Sequence, residues 1–362
     1  MGKRKITFVI QDLCGQGVQA STAAMIRGFA AKGYDVDLLI SPVHQDRIAS
    51  GMYAFPVPDV VHTIVMPSRH AKGNILFLRR YLKTTDSQAV FSTSIPYYIC
   101  HAIAKIGIRR KVLHIAVDHD NWYSTNHRLK RQLIYGGFDR HFFVNETSRQ
   151  TFLKTVPSYP AENTQVVWNP AVDDLFHSKA ACPPSHPWLC EKRGFVFVSA
   201  GVFCDYKNQM LQLQAMNLLK GKADVRLILF GTGPLEASFK DYVAANGLED
   251  MVSMPGYARN LPAEMRAADG YLMSSSTESF GIVIAEALAA GLPVISTDAL
   301  YGPRDIISRP EYGTLVPVKD PKAMADAMLK LVKGPRRKVP DEAWQRFTVS
   351  SVVGYFEKGM RL

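Results

Sequence analysis

The sequence predicts an α/β protein built on parallel sheets, in two domains. Three observations carry this. Residues 270–298, GYLMSSSTESFGIVIAEALAAGLPVISTD, read as an apolar strand, a Ser/Thr-rich loop, a helix over about 280–290 and a second strand at 294–296. Gly291 supplies the helix stop, and Pro293 cannot continue the helix. Residues 6–40 repeat the plan, with a strand at 6–10, the loop 11–17, a helix over about 21–32 ended by Gly33, and a strand at 36–40. Strand–helix–strand units of this kind pair in parallel. Finally, 362 residues are more than one domain usually holds.

Composition narrows the class. The apolar fraction, 47%, is that of a globular protein with full cores. No run reaches the ~18 apolar residues of a membrane span. MGKRKITFVIQDL begins like a signal peptide, but Gln11 and Asp12 interrupt the apolar run, so it reads as the first strand. Ile6 stands where a myristoylation signal needs Ser or Thr. Five scattered cysteines without a CxxC pair suggest neither zinc nor a disulfide framework, and fit reduced thiols in the cytoplasm. The net charge of +11 is uneven. Residues 1–175 hold 21 Lys and Arg against 13 Asp and Glu, and residues 176–362 hold 22 against 19. A basic first half points to an anionic partner. Clusters at Arg79-Arg80, Arg109-Arg110-Lys111 and Arg128-Lys130-Arg131 stand among apolar residues, as in NILFLRRYLK, which suits an anionic membrane surface.

Two glutamates stand out around the 274–277 loop. Glu286 is the only charge between Phe280 and Pro293, on the same helical stripe as Ile282 and Ala290. A buried carboxylate needs a partner, and a ligand hydroxyl would serve. Glu278 lies at the loop–helix junction, where free N–H groups suit anions. A plain surface charge at 278 and an ion pair from 286 to a structural Arg would explain either residue alone. Both together, flanking this loop, favour a ligand site.

The rest of the chain reads in order. Residues 75–83 form a basic amphipathic helix, 89–92 a strand, 95–105 a helix and 112–117 a buried strand. His119 follows that strand between Asp118 and Asp120, at the end where parallel sheets gather ligands, or as an exposed loop histidine. HSKAACPPSHPWLCEKRG reads as a linker. FVFVSAG restarts a domain as a strand, followed by Lys207 and a helix. Asp205 is placed to form a surface pair with Lys207. VRLILFGTGP is a further strand and glycine turn, 321–332 a helix, KGPRRKVP a breaker, and 341–360 a last helix.

The 278–293 stretch resembles the E-x7-E motif of retaining glycosyltransferases of family 4, with Glu278, Phe280, Gly281, Glu286, Gly291 and Pro293 in the matching places. VVWNPAVDDLF resembles the family's V-x-x-N-x-x-D-x-x-x-F segment through Asn169, Asp173 and Phe176, and YGPRDII resembles a stretch of bacterial polysaccharide and lipopolysaccharide enzymes. The resemblance implies a GT-B fold, two Rossmann-like doubly wound domains facing each other across a cleft. It divides the chain into an acceptor domain at 1–176, a linker at 177–193, a nucleotide-sugar domain at 194–340 and a helix at 341–362 returning to the first domain. It implies that Glu278 contacts the donor sugar and Glu286 the ribose. Lys207 and the N–H groups of Phe280, Gly281 and Ile282 would face the diphosphate, and Tyr257, Ala258 and Arg259 would lie near the base. His119 would stand near the reacting carbon, with Asp118 or Asp120 on an acceptor hydroxyl and the Gly15–Gly17 loop near the diphosphate. The family's Gly-Arg-Leu is here Gly201-Val202-Phe203, so a usual phosphate-binding Arg is replaced by Val202.

Other chemistries compete. CGQGVQA matches the G-x-G-x-x-A of dinucleotide-binding dehydrogenases, which makes an NAD enzyme the main rival. Its acidic residues, Asp35 and Asp37, fall at the start of the second strand rather than past its end. Eight helical residues would separate the glutamates by ~12 Å, more than a glycosidase pair stands apart. No D-x-D motif ends a strand, so no metal or other cofactor is expected. No organised nucleic-acid module appears. The expected activity is therefore retaining transfer of a hexose, galactose or glucose first, or an N-acetylhexosamine, from a UDP-sugar to a lipid-linked glycan of lipopolysaccharide or surface polysaccharide. The expected place is the cytoplasm, at the inner face of the membrane. A catalytically weak sugar-nucleotide binder is the remaining alternative.

Overall fold

The computed structural model describes residues 4–15, 17–109, 111–119, 134–335 and 339–360. They form two compact units. Unit 1 comprises Met1–Pro170 and Val349–Leu362, and unit 2 comprises Ala171–Thr348. Arg110, Asp120 and the Arg128–Arg131 cluster lie outside the described residues.

Unit 1 is built on seven strands: β1 Lys5–Ile10, β2 Asp35–Ile40, β3 His62–Val65, β4 Ala89–Ser92, β5 Leu113–Asp118, β6 Arg140–Phe143 and β7 Thr164–Val166. Their order is β3-β2-β1-β4-β5-β6-β7, with every pairing parallel. Strand β1 is apolar nearly throughout because helices cover both faces of the sheet. Ile6, Phe8 and Ile10 pack on one face with Met25, Ile26 and Phe29 of the helix Gly17–Ala31. Val9 packs on the other with Leu78, Leu82 and Tyr97. The helix Val349–Gly359 joins the first face through Val352, Val353 and Phe356. Gly28 allows the approach, since a Cβ there would stand 2.5 Å from Val349 Cγ1 and 2.7 Å from Val353 Cγ2. Glu357 fixes this helix by accepting from Lys32 Nζ at 2.7 Å and Tyr34 Oη at 2.9 Å.

Unit 2 holds β8 Phe195–Ala200, β9 Val225–Phe230, β10 Val252–Gly256, β11 Gly270–Met273, β12 Val294–Thr297 and β13 Gly313–Val316, in the order β10-β9-β8-β11-β12-β13. All pairs are parallel. The order reverses between β8 and β11, so the loops leaving their C-terminal ends diverge, and such switch points are where open α/β sheets bind ligands. Both sheets are the parallel, doubly wound kind that the apolar strand runs predict.

Several boundaries differ from expectation. The stretch 177–193 belongs to unit 2 and contains helical residues, since Asp174–Ala180 and Pro187–Cys190 are helices. Asp173 caps the first by accepting from Phe176 N at 2.9 Å, and His186 caps the second. The expected last helix is two helices, Glu342–Gln345 and Val349–Gly359. Phe347 breaks it. Its ring is fully buried 5.4 Å from that of Phe280, and its carbonyl accepts from the N–H groups of Ala171 and Val172 at 2.9 and 3.2 Å. A carbonyl spent this way cannot serve a helix. The unit boundary runs through the same place, where 171–172 and 347–348 lie side by side. The helix Val43–Ala49 and strand β3 occupy a stretch in which no element is expected from the residue pattern.

Candidate active site

The two loops at the unit 2 switch point carry the expected residues. Lys207 lies in the loop after β8, and Glu278 in the loop after β11. The Lys207 ammonium pairs with Glu278 Oε1, and Ser275 Oγ donates to the same oxygen at 3.2 Å. The side chains are 23% and 13% exposed, so the pair is largely withdrawn from water, where charge interactions strengthen. Asp205 is exposed and makes no pair with Lys207. The loops are stitched together through their backbones. Ser274 Oγ donates to Lys207 O at 2.9 Å, Ser276 N to Tyr206 O at 2.8 Å, and Thr297 Oγ1 to Ser275 O at 2.6 Å. Small hydroxyl side chains suit this role because they bond backbone groups at short reach.

Gly281, at φ +92°, turns the loop into the helix Ile282–Ala289. A left-handed turn of this kind favours glycine. Phe280 lies before the helix, with its side chain buried and its carbonyl pressed against Gly302, where a Cβ would stand 2.3 Å away. The backbone is therefore pinned on both sides. The first N–H groups of the helix have no intrahelical acceptor and form its positive end. Lys207 and Val283, the second residue of this helix, line the same small cavity of about 10 Å³. That combination suits an anion such as a phosphate. Val202, at the position where the resemblance implies an Arg, is apolar, and its carbonyl accepts from Gln209 Nε2 at 2.9 Å.

Glu286 is partly exposed along this helix. Burial pushes its carboxyl up to about 7; the Asp173 carboxylate works in the same direction, and the Lys179 ammonium opposes. Among the described residues it has no hydrogen-bond or ion-pair partner, so the structural-arginine alternative does not hold. Tyr257, 73% exposed, and Arg259 follow β10; no hydrogen bond, ion pair or ring contact joins them to Lys207 or Glu278 among the described residues.

In unit 1, His119 directly follows β5, whose last residue is Asp118. It is 3% exposed, not a surface loop histidine. Burial lowers its imidazole to about 4 against the opposing pull of the Asn169 side chain, so the ring is neutral near pH 7. Neither ring nitrogen has a hydrogen-bond partner by distance and angle among the described residues. Asn169 Oδ1 accepts from Ser21 Oγ at 2.8 Å, on the helix that starts at Gly17. Gly15 has φ +98°, and its N–H donates to Tyr53 O at 3.2 Å. Sequence reasoning missed Asp12, which shapes this loop by accepting from Cys14 N at 2.9 Å and Arg47 NH1 at 3.1 Å. It also missed Ser275 and Gln212, whose partners are distant in sequence. Among the described residues, no group of three or more His, Cys, Asp or Glu is arranged to hold a metal ion.

Residues 187–346 match the model of the family described as glycosyl transferases group 1. Over 108 residues, 30% of this chain, the sequence is 36% identical to an exopolysaccharide phosphotransferase of Streptomyces coelicolor, of which it spans 12%. It is 24% identical over 273 residues to the N-acetyl-alpha-D-glucosaminyl L-malate synthase of Bacillus anthracis, covering 73% of this chain and 71% of the relative. Among solved structures, Anabaena HepE superposes with a TM-score of 0.78 over 98% of both chains at 17% identity, which shows a shared fold. Crystals of HepE hold UDP, UDP with glucose, or UDP-glucose.

Proposed function

We propose that this chain, whose residues 187–346 match the model of glycosyl transferases group 1 and whose fold matches that of HepE, moves a hexose or N-acetylhexosamine from a UDP-sugar to a lipid-linked glycan, with retention. The observation that carries the reading is the Lys207–Glu278 pair at a helix N-terminus, eight residues before a carboxylate with no partner of its own. In this reading Lys207 and the N–H groups of Gly281 and Ile282 hold the diphosphate, Glu278 the sugar and Glu286 the ribose. Tyr257 and Arg259 lie toward the base. The donor's own oxygens leave as diphosphate, and positive charge fixed in advance stabilises that departure without a metal ion. Glucose or galactose is the favoured sugar; UDP and UDP-glucose bound to a protein of the same fold support the donor class. Unit 1 takes the acceptor, with His119 and Asp118 as polar groups at the end of β5. The exopolysaccharide relative supports a surface-glycan acceptor.

A thermal-shift series with UDP, GDP, ADP, NAD and UDP-sugars tests this, since ligands of the folded state raise its stability. UDP and one UDP-sugar are expected to raise the melting temperature. A response to NAD alone would transfer the protein to the dehydrogenases.

A lipid-linked acceptor implies work at a membrane surface, in this reading the inner face. Among the described residues no helix is long and apolar enough to cross a membrane. The helix Ile75–Thr84 instead presents Leu76, 71% exposed, on the same face as exposed Arg80 and Lys83, with exposed Lys72 in the turn before it. Arg79 ties its flank to Ala104 O at 3.0 Å, near exposed Ile103 and Ile106 and the cations Arg109 and Lys111. Apolar residues ringed by cations suit an anionic lipid surface. The protein is expected to co-sediment with anionic vesicles and to be released as salt rises, and Arg80→Glu is expected to weaken binding. Equal binding to neutral vesicles would count against this surface.

A further inference from the structure

Gln212 sits where an apolar residue would be ordinary. The helix Met210–Leu219 buries Leu211, Leu213, Ala215, Met216 and Leu219 in the unit 2 core, and Gln212 is 1% exposed among them. A buried amide is costly unless it is hydrogen-bonded. Its Nε2 donates to Ser199 Oγ at 3.0 Å and to Ser274 Oγ at 2.8 Å. The amide orientation follows from chemistry. The Ser274 hydroxyl proton is spent on Lys207 O, so Ser274 must accept from Gln212, and the nitrogen must face it.

These contacts span the switch point. Strands β8 and β11 pair only at Gly270↔Phe197 and Tyr271↔Val198. Beyond that pair the ladder ends, and Ser199 and Ser274 stand on its two sides. Gln212 closes the opening with both of its N–H groups. Its amide oxygen, like that of Gln209, is buried without a hydrogen bond by distance and angle among the described residues, and both glutamines line the small cavity shared with Lys207.

We propose that Gln212 is a positioning residue for donor binding, locking Lys207 and the loop carrying Glu278 into one frame across the β8–β11 opening. The inference rests on Lys207 as a diphosphate ligand. It predicts that removing Gln212 is felt through Lys207 and not elsewhere.

The test is a double-mutant cycle on UDP affinity, measured by calorimetry on the wild type, Gln212→Leu, Lys207→Ala and the double variant, with UMP as the control ligand. Gln212→Leu is expected to weaken UDP about tenfold and UMP less than about twofold, and its effect on UDP is expected to fall below about twofold once Lys207 is alanine. An equal loss in both backgrounds, or an equal loss for UDP and UMP, would make Gln212 a packing residue and overturn the proposal. If Lys207→Ala leaves UDP affinity unchanged, the donor-site reading fails instead. Ser274→Ala, which removes both the tether to the Lys207 carbonyl and the bond Ser274 accepts from Gln212, runs the same cycle if Gln212→Leu does not fold, and the same outcomes decide.

Discussion

Replacing Lys207 with alanine is expected to lower kcat/KM for the UDP-sugar about 10²- to 10³-fold, the size of effect seen when one fixed donor to a developing anion is removed. Lys207 is held at both ends, its carbonyl by Ser274 and its ammonium by Glu278. The charge therefore needs little reorganisation when the diphosphate departs. With Val202 where the resemblance implies an Arg, the loss is expected to fall on kcat and on discrimination between UDP and UMP. The variant keeps its fold, because Glu278 retains the Ser275 hydroxyl. Steady-state kinetics with an unfolding curve check this. A loss below about threefold would remove Lys207 from the chemistry.

Donor affinity is expected to rise with pH through about 7, and Glu286→Gln to flatten that rise. Burial lifts the Glu286 carboxyl from its ordinary 4.5 to about 7. A raised carboxyl binds its proton more tightly folded than unfolded. Its contribution to stability is thus fully present below about pH 4.5 and is lost as pH climbs through 7, by about 3 kcal/mol. A ribose hydroxyl donating to the carboxylate favours the ionised form, so binding releases a proton and strengthens as pH rises. Glu286→Gln should weaken UDP, remove this share of the pH slope and raise the melting temperature at pH 8 relative to wild type. UDP titrates its own phosphate near pH 6, so the comparison is the difference in slope between the two proteins. Identical slopes and affinities would strip Glu286 of the ribose role.

What the sequence made legible was local. The 270–298 unit shows its strand, glycine stop and helix within one window, and the structure differs there only in element bounds, with the helix at Ile282–Ala289 instead of about 280–290 and the second strand at Val294–Thr297 instead of 294–296. Glu286 was legible because a lone charge on an apolar stripe calls for an explanation. The Lys207–Glu278 pair was not, since its partners are 71 residues apart and Asp205 was the nearer candidate. Gln212 gave no signal, because one glutamine in an apolar helix looks like a solvent-facing position until Ser199 and Ser274 are placed around it. The break at Phe347 was hidden for the same reason. A carbonyl captured by Ala171 and Val172 leaves no mark in the local periodicity.

The helix Val349–Gly359 completes the core of unit 1 although all of unit 2 precedes it in the chain. During synthesis the residues of unit 2 emerge as one uninterrupted run, while β1 and the helix Gly17–Ala31 wait for a partner more than 300 positions downstream. Closing so long a loop slows assembly far more than it weakens the finished product, because its entropy grows only with the logarithm of its length. Unit 2 is therefore the part whose residues follow one another without a break in the chain. Until the final helix arrives, unit 1 leaves Phe29 and Phe91 without Phe356 to cover them, an apolar face that a chaperone or a nearby lipid surface would meet first.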